Sequence, residues 1–385
     1  MTQTSADILI IGGGVIGLSI AYHLGKQGAT VAVLDASTNN GVASTAAAGM
    51  LAPLAEATKP GPFLDLGLAS LRYYPSFLAE LSKESDKPLE VAGYGMLRVA
   101  HTETEEATLE SALAWQRELG LSLMRLDQSE LRGLEPALGP EARGGVFSPE
   151  ERYVNPRMLR HALIMACRRV GAEVHLMSRV EGFVINNGHV TAVKTNNEEI
   201  AGRRIVLCGG AWSGLISQWL GLSFPVIPLR GQALSLGPQS LGPQSQLPLR
   251  HTIYAHSGYL VPRTQQTKEL LLGEIYIGAT EERVGYDAAS TAGGCASLLN
   301  MALALVPSLA AMPTSTHYAG LRPLSADGLP LLGRVGGWEN VHIATGHGRN
   351  GILLAPITGA LMADAILHDA PLPEAFNPSR FGGTL

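Results

Sequence analysis

This 385-residue sequence predicts an α/β fold: a Rossmann-like nucleotide-binding unit with an antiparallel sheet interleaved in it. Three observations carry the expectation. The chain opens on an apolar run, a glycine-rich turn and an amphipathic stretch. Runs of β-forming residues dominate residues 224–280, and the chain then returns to strand, glycine-rich loop and helix. At this length one simple core is not enough, so two units are the natural expectation.

Taken in order, "DILIIG" is a continuous apolar run, as a parallel strand buried on both faces requires. In "GLSIAYHLGKQG", Leu18, Ala21, Tyr22 and Leu24 recur at helical spacing, and Gly28 ends the helix. "TVAVLD" is the second strand, closing at Asp35. Residues 42–56 are small and polar, then apolar, and a helix is expected over 63–82. "VAGYGMLRVA" (91–100) predicts a strand pair, 104–119 an exposed charged helix, and 154–174 a helix feeding a strand. "GRRIVLCGGAWSG" (202–214) is a strand stopping at glycines. "VIPLRGQALSL", "GYLVPR" and "LLLGEIYIGAT" then read as an antiparallel sheet. The tandem "LGPQSLGPQS" (236–245) reads as a duplicated loop, and 288–305 as a helix. The expected division is therefore 1–88, 145–222 and 316–385 in the nucleotide-binding unit, with 89–144 and 223–315 in the second.

Composition excludes several classes. A net charge of −5 and scattered basic residues give no footprint for nucleic acid. Cys167, Cys208 and Cys295 are too few and too dispersed for a disulfide framework or a metal site. Three reduced, mostly buried thiols in a cytoplasmic setting are expected. "MTQTSAD" carries no Lys or Arg, so no secretory signal is expected. "GILLAPITGALMADAIL" (351–367) holds Pro356, Gly359 and Asp364, which predicts a buried helix rather than a membrane span, and a soluble protein.

Gly12, Gly14 and Gly17 satisfy GxGxxG. The first glycine permits the tight turn, the second lets backbone approach a pyrophosphate, and the third lets helix and strand pack closely. The helix start then offers free amides and a partial positive charge to phosphate. Asp35 stands near the expected position for an acid on a ribose diol, where a 2′-phosphate would be repelled. The motif alone does not separate NAD from FAD.

Three further stretches bear on that choice. In "ASTAAAGMLAP", the hydroxyls of Ser44 and Thr45 and the small residues after them suit contact with phosphate and flavin. In "VEGF", a turn at Val180 and Gly182 suits an adenine clasp. In "TGHGRNGILLAP", Gly346, Gly348 and Gly351 precede an apolar helix, with Pro356 in its tolerant early part. That second helix start is placed to face negative charge on a reduced flavin.

With these stretches in view the chain resembles the FAD-dependent D-amino acid oxidase and sarcosine oxidase superfamily, within it the glycine oxidase branch of thiamine biosynthesis. The resemblance rests on "IIGGGVIGLSIAYHL", "STAAAGMLAP", "GYLVPR", "GATEERVGYD", "AGLRPLSADGLPLLG" and "GHGRNGILLAP", in the family's order from residue 8 to residue 356. It implies FAD on Gly12, Gly14, Val15, Ile16, Gly17 and Asp35; on Ser44, Thr45, Ala47, Gly49 and Met50; on Val180, Gly209 and Trp212; and on His347, Gly348, Arg349, Asn350, Gly351 and Ile352. The covalent relatives attach flavin through a cysteine near the strand that reads "HYAGLRP" here; this sequence has none from 296 onward, which implies noncovalent FAD.

The resemblance also makes Arg322 a clamp for a substrate carboxylate, a role that suits a guanidinium's two parallel hydrogen bonds. Arg349 and Tyr259 are expected at the same pocket, with Glu281 on its lining. Asp327 reads as an Asp-Gly turn. Neither it nor His347 is assigned a proton-transfer role, because hydride transfer to flavin N5 needs orientation rather than a base. The implied reaction is oxidation of glycine, sarcosine or small D-amino acids by molecular oxygen to 2-oxo acid, ammonia and hydrogen peroxide. A homo-oligomer, no membrane partner, and a thiazole synthase taking the imine downstream are further implications. The competing readings are a D-amino acid dehydrogenase passing electrons to a quinone, a flavin-binding module without turnover, and an NAD dehydrogenase.

Overall fold

The computed structural model describes residues 5–36, 41–86, 88–241, 247–266 and 271–381. Two large sheets organise them. The first has eight strands. Ser5–Ile11 lies between Val31–Asp35 and Glu199–Leu207, all parallel, and Glu173–Leu176 extends the parallel set beyond Val31–Asp35. Glu199–Leu207 changes neighbour along its length. Its first residues pair antiparallel with His189–Thr195, and its last pair parallel with Val341–Thr345.

Four helices cover one face of this sheet: Val15–Lys26, Pro62–Ser85, Pro156–Arg169 and Gly351–His368. Alternation along each strand decides which side chains they cover. Ile8 and Ile10 join the helix-side core with Leu18, Tyr22 and Phe77, while Leu9 and Ile11 join the opposite one with Leu220 and Phe224. Strands buried on both faces must be apolar throughout, the pattern "DILIIG" presents.

The second sheet has nine strands, in the order Gly41–Val42, Thr314–Ser325, Val226–Leu241, Leu271–Gly278, Gly258–Gln266, Thr252–Ala255, Met96–Ala100, Gly144–Ser148 and Met124–Leu126. Period-two alternation again sorts its faces. Leu260, Ile275 and Ile277 face the helix Ala292–Leu305, whereas Tyr259, Val261 and Tyr276 form the opposite face with Ala48 and Tyr318.

Several expectations need correction. The stretch 91–100 holds one strand, Met96–Ala100; the rest contributes a lone bridge from Ala92 to Tyr153. The first copy of the "LGPQS" repeat continues the strand Val226–Leu241 through a register shift between Leu236 and Gln239, and most of the second copy lies outside the described residues. The boundaries at 145 and 316 fall inside Gly144–Ser148 and Thr314–Ser325, strands that both pair into the second sheet. Sheet membership is set by partners remote in sequence, so a run of residues does not reveal it.

Pro356 sits in the interior of Gly351–His368 rather than in its first turn. A proline there donates nothing to the carbonyl four residues earlier. That carbonyl, on Ile352, accepts instead from the Tyr74 hydroxyl at 2.5 Å, and the next, on Leu353, from Ser70 Oγ at 2.5 Å. The helix is long and apolar enough to cross a membrane by length and composition, yet here it packs against Val15–Lys26 and Pro62–Ser85. Tyr74→Phe is expected to leave the Ile352 carbonyl unpaired and to lower stability by about 1–3 kcal/mol, read by denaturant melting; an unchanged midpoint and slope would show that the carbonyl finds another donor.

Candidate active site

A cavity of about 510 Å³ runs from the glycine turn of the first sheet to the tyrosine face of the second. Its first end sits where Ser5–Ile11, Val31–Asp35 and Glu199–Leu207 terminate, the usual crevice of parallel α/β sheets. Gly12 adopts φ +112°, and a Cβ there would lie 2.2 Å from the Cys208 carbonyl oxygen. Gly17 does not line the cavity. A Cβ on it would meet the Gly12 carbonyl at 2.0 Å, so it serves the close packing of helix on turn. Gly14 ends the turn as the helix's N-cap, with no side-chain cap of its own, and Ser44 Oγ accepts from the Val15 amide at 3.2 Å.

Asp35 reaches the cavity and also takes a hydrogen bond from Arg160 Nη2 at 2.6 Å, while Arg160 Nε donates to the Gly13 carbonyl at 2.9 Å. Arg160 thus ties the acid to the glycine turn. A turn without Cβ atoms, a helix start whose N-cap glycine supplies no side-chain cap and a carboxylate at the next strand end fit the pyrophosphate and ribose of a dinucleotide.

Of the residues expected around FAD, all but Gly17 and Thr45 line this cavity. The Thr45 hydroxyl instead donates to the Val42 carbonyl at 3.1 Å. Val180 lines it, but as the first residue of the strand Val180–Asn186, with a register shift before Gly182, rather than in a turn. The Ala46–Ala48 wall is held from the second sheet. Arg263 Nη2 donates to the Ala47 and Ala48 carbonyls at 3.2 and 2.5 Å, and the Tyr276 hydroxyl donates to Ala46.

The far end carries Arg322, Arg349 and Glu56. Half-buried Arg322 projects from Thr314–Ser325 and donates through Nη1 to the Thr280 carbonyl at 3.0 Å. Gly231, on the neighbouring strand, makes room: a Cβ there would lie 2.3 Å from Arg322 Nη2. Thr280 is itself pinned. Its hydroxyl donates to Glu282 Oε1 at 2.5 Å and accepts from the Gln232 amide at 2.9 Å. Glu282 pairs with buried Arg230 at 2.6 Å, and Arg230 with Asp287 at 2.7 Å, so "GATEERVGYD" is latched to the sheet at both ends. Burial alone would raise the Glu282 pKa, but hydrogen bonds from Arg230, Thr280 and Gln232 hold it below the usual carboxylate value.

Arg349 lines the same end with Nε 3.1 Å from Glu56 and Nη1 3.3 Å from Glu281; Glu281, expected on the lining, lies off the cavity wall and reaches it only through this contact. Glu56 also accepts from the Tyr254 hydroxyl at 3.3 Å. It closes the short turn Pro53–Glu56, whose Leu54 and Ala55 amides are bound by the buried Glu151 carboxylate at 2.7 and 3.2 Å. Tyr259 is buried between Tyr254 and Tyr276, with ring centroids 6.5 Å from each. Asp327 lies away from the cavity, in a turn where Oδ1 accepts from the Leu329 amide and Arg380 pairs with the carboxylate. The three cysteines are free, with Cys167 and Cys208 buried and Cys295 half-buried.

Glu56, Tyr254, Tyr276 and Arg160 were not expected from the sequence. Tyr276 carried a usable signal, since alternation in "EIYIG" separates it from the isoleucines on either side. Arg160 and Glu56 carried none, because their partners lie far away along the chain.

The family of FAD dependent oxidoreductases called DAO matches residues 7–365. The Bifunctional protein ThiO/ThiG of a Synechocystis species is 36% identical over 382 residues, 98% of this chain and 54% of that protein. The chain thus spans about half the length of the bifunctional relatives it matches. A glycine oxidase of Bacillus licheniformis is 33% identical over 361 residues, covering 94% of this chain and 93% of the relative. The crystal structure of glycine oxidase from Geobacillus kaustophilus superposes with a TM-score of 0.87 and 29% identity, covering 98% of this chain and 99% of that one.

His347, on the cavity wall, shares a 3.2 Å hydrogen bond between Nε2 and the Thr358 hydroxyl, and burial lowers its pKa from 6.5 to about 3. Burial likewise lowers His342 to about 4. Both imidazoles are neutral in the folded protein at neutral pH. Below 6.5 the unfolded chain takes up protons that the folded protein refuses, so this contribution is whole above 6.5 and lost as pH falls. Depression of Glu282 acts in the same sense at lower pH. Thermal melts are expected to show Tm falling from pH 6.5 towards 4, with His347→Asn removing part of the slope. A Tm independent of pH over that window would contradict the assignment.

Proposed function

The chain belongs to the FAD-dependent oxidoreductase family, and on that premise we propose that it catalyses oxidative deamination of glycine and other small amino acids or amines, sarcosine and small D-amino acids among them. The carrying observation is Arg322, a half-buried guanidinium fixed by the Thr280 carbonyl on the wall of the cavity that begins at the dinucleotide turn. In this reading Arg322 grips the substrate carboxylate through charge-assisted hydrogen bonds and so orients the amine-bearing carbon. Tyr259, stacked between two other tyrosines, lines the same cavity. Val15, Met50, Ala233 and Ile352 keep the intervening wall apolar and water-poor. Bound FAD supplies the hydride acceptor and returns its electrons to dioxygen.

Overall, glycine, water and dioxygen give glyoxylate, ammonia and hydrogen peroxide. His347 does not move a proton in this scheme, consistent with its neutral, hydrogen-bonded state. FAD is held without a covalent bond, since the sequence has no cysteine after Cys295. The free thiols support a cytoplasmic setting. The resemblance to the glycine oxidase branch of thiamine biosynthesis, together with relatives named ThiO/ThiG, supports a place beside thiazole formation, with the imine as the useful product.

A substrate panel read by oxygen consumption and peroxide tests the proposal. Glycine and sarcosine are expected to turn over with oxygen uptake; dye reduction without oxygen uptake would replace the oxidase by a dehydrogenase. Arg322→Ala is expected to raise KM for glycine by about tenfold or more while FAD stays bound; an unchanged KM would remove Arg322 from the site. Asp35→Ala is expected to lose FAD on dialysis, and full flavin content afterwards would contradict the ribose contact.

A further inference from the structure

We propose that Glu56 and Glu281 mask Arg349 as a latent second carboxylate site, and that this mask restricts the enzyme to amines bearing one carboxylate. The inference rests on the oxidase reading above and narrows its substrate class. Three charged side chains line the substrate end, Arg322, Arg349 and Glu56, and a fourth, Glu281, joins them through Arg349 from outside the cavity wall. Two guanidinium groups and two carboxylates cancel. Among the described residues, Arg322 forms no ion pair with a carboxylate, and Nη1 donates to the neutral Thr280 carbonyl. Arg349 is engaged by both acids, although 35% of its side chain remains exposed. One guanidinium is therefore available to a substrate, and the other is accessible but already neutralised.

A second substrate carboxylate would have to displace one of these acids or lie beside them. Glu56 does not yield readily. Its side chain is 9% exposed, the Tyr254 hydroxyl bonds it, and the turn that carries it is fixed by Glu151. Burial raises the Glu56 pKa, and Arg349 is the strongest charge opposing that, ahead of Arg322, so moving Arg349 away would break a buried pair and strand Glu56. Glu281 is half exposed, so it can turn aside, but Glu56 would still repel the incoming group. Burial opposes the charge on Arg349, yet the two carboxylates and nearby tyrosines raise its pKa above the usual value. The discrimination is thus a repulsive element built into the pocket rather than a lack of space.

Sarcosine and iminodiacetate provide the test, because they share the oxidisable methylene and differ by one carboxylate. For the wild-type holoenzyme kcat/KM is expected to favour sarcosine strongly. In Glu56→Gln/Glu281→Gln the iminodiacetate-to-sarcosine ratio is expected to rise by about tenfold or more, with a smaller rise in Glu281→Gln, whose exposed side chain can be changed without disturbing the core. Binding gives a second readout. Malonate against acetate, titrated by the perturbation of bound flavin absorbance, is expected to shift in the same direction. Unchanged ratios in both variants, or a wild type that accepts iminodiacetate as well as sarcosine, would overturn the mask. Should neither amine turn over, the oxidase reading fails, while the malonate-to-acetate ratio still decides whether Arg349 is masked.

Discussion

A cation at the wall of a largely apolar cavity must be compensated, and the two arginines at the end remote from the glycine turn are compensated differently. Arg322 receives a carbonyl, which satisfies one donor and leaves its charge available. Arg349 receives two carboxylates, which consume its charge. Hydrogen-bonding one guanidinium to a neutral dipole and the other to anions makes two identical side chains chemically unequal. The rest of the charged end is arranged to hold those two states. Arg230, Gln232 and Glu282 pin Thr280 for Arg322; Glu151, from below the Pro53–Glu56 turn, fixes Glu56 for Arg349.

The nucleotide end depends on missing side chains as well as on the Asp35–Arg160 pair. Side chains are missing where backbone must touch backbone, as at Gly12 and Gly17. The two ends are joined through the Ala46–Ala48 wall, whose carbonyls are gripped by Arg263 and Tyr276 from the second sheet. A change in the second sheet is therefore felt at residues that line the cavity beside the glycine turn. This gives a physical reason why the strands of one sheet and the turn of the other act as one site.

Much of this was legible locally. Gly12, Gly14 and Asp35 stand at fixed offsets on a strand, turn and strand, so spacing alone located them. The long helices were found within a few residues of their ends, because each carries its own apolar periodicity. Legibility failed where the information is held by a partner. Arg160 meets Asp35 across 125 residues, and Tyr254 meets Glu56 across 198. Pro356 looked like an early-turn proline, yet the hydroxyl that makes it tolerable belongs to Tyr74, 278 residues away from the carbonyl it serves.

By itself, then, the sequence determined the alternation of element types and the glycine turn with its acid, whereas Arg322 in "AGLRP" was singled out only through the family resemblance. Element types and turn follow from short-range periodicity and from conformations open only to particular residues. Only the tertiary structure decided which strands share a sheet and which of two cavity arginines is free of a carboxylate partner. Those outcomes are pairings across long sequence separations, and a guanidinium's chemistry is set by the group that packing places opposite it.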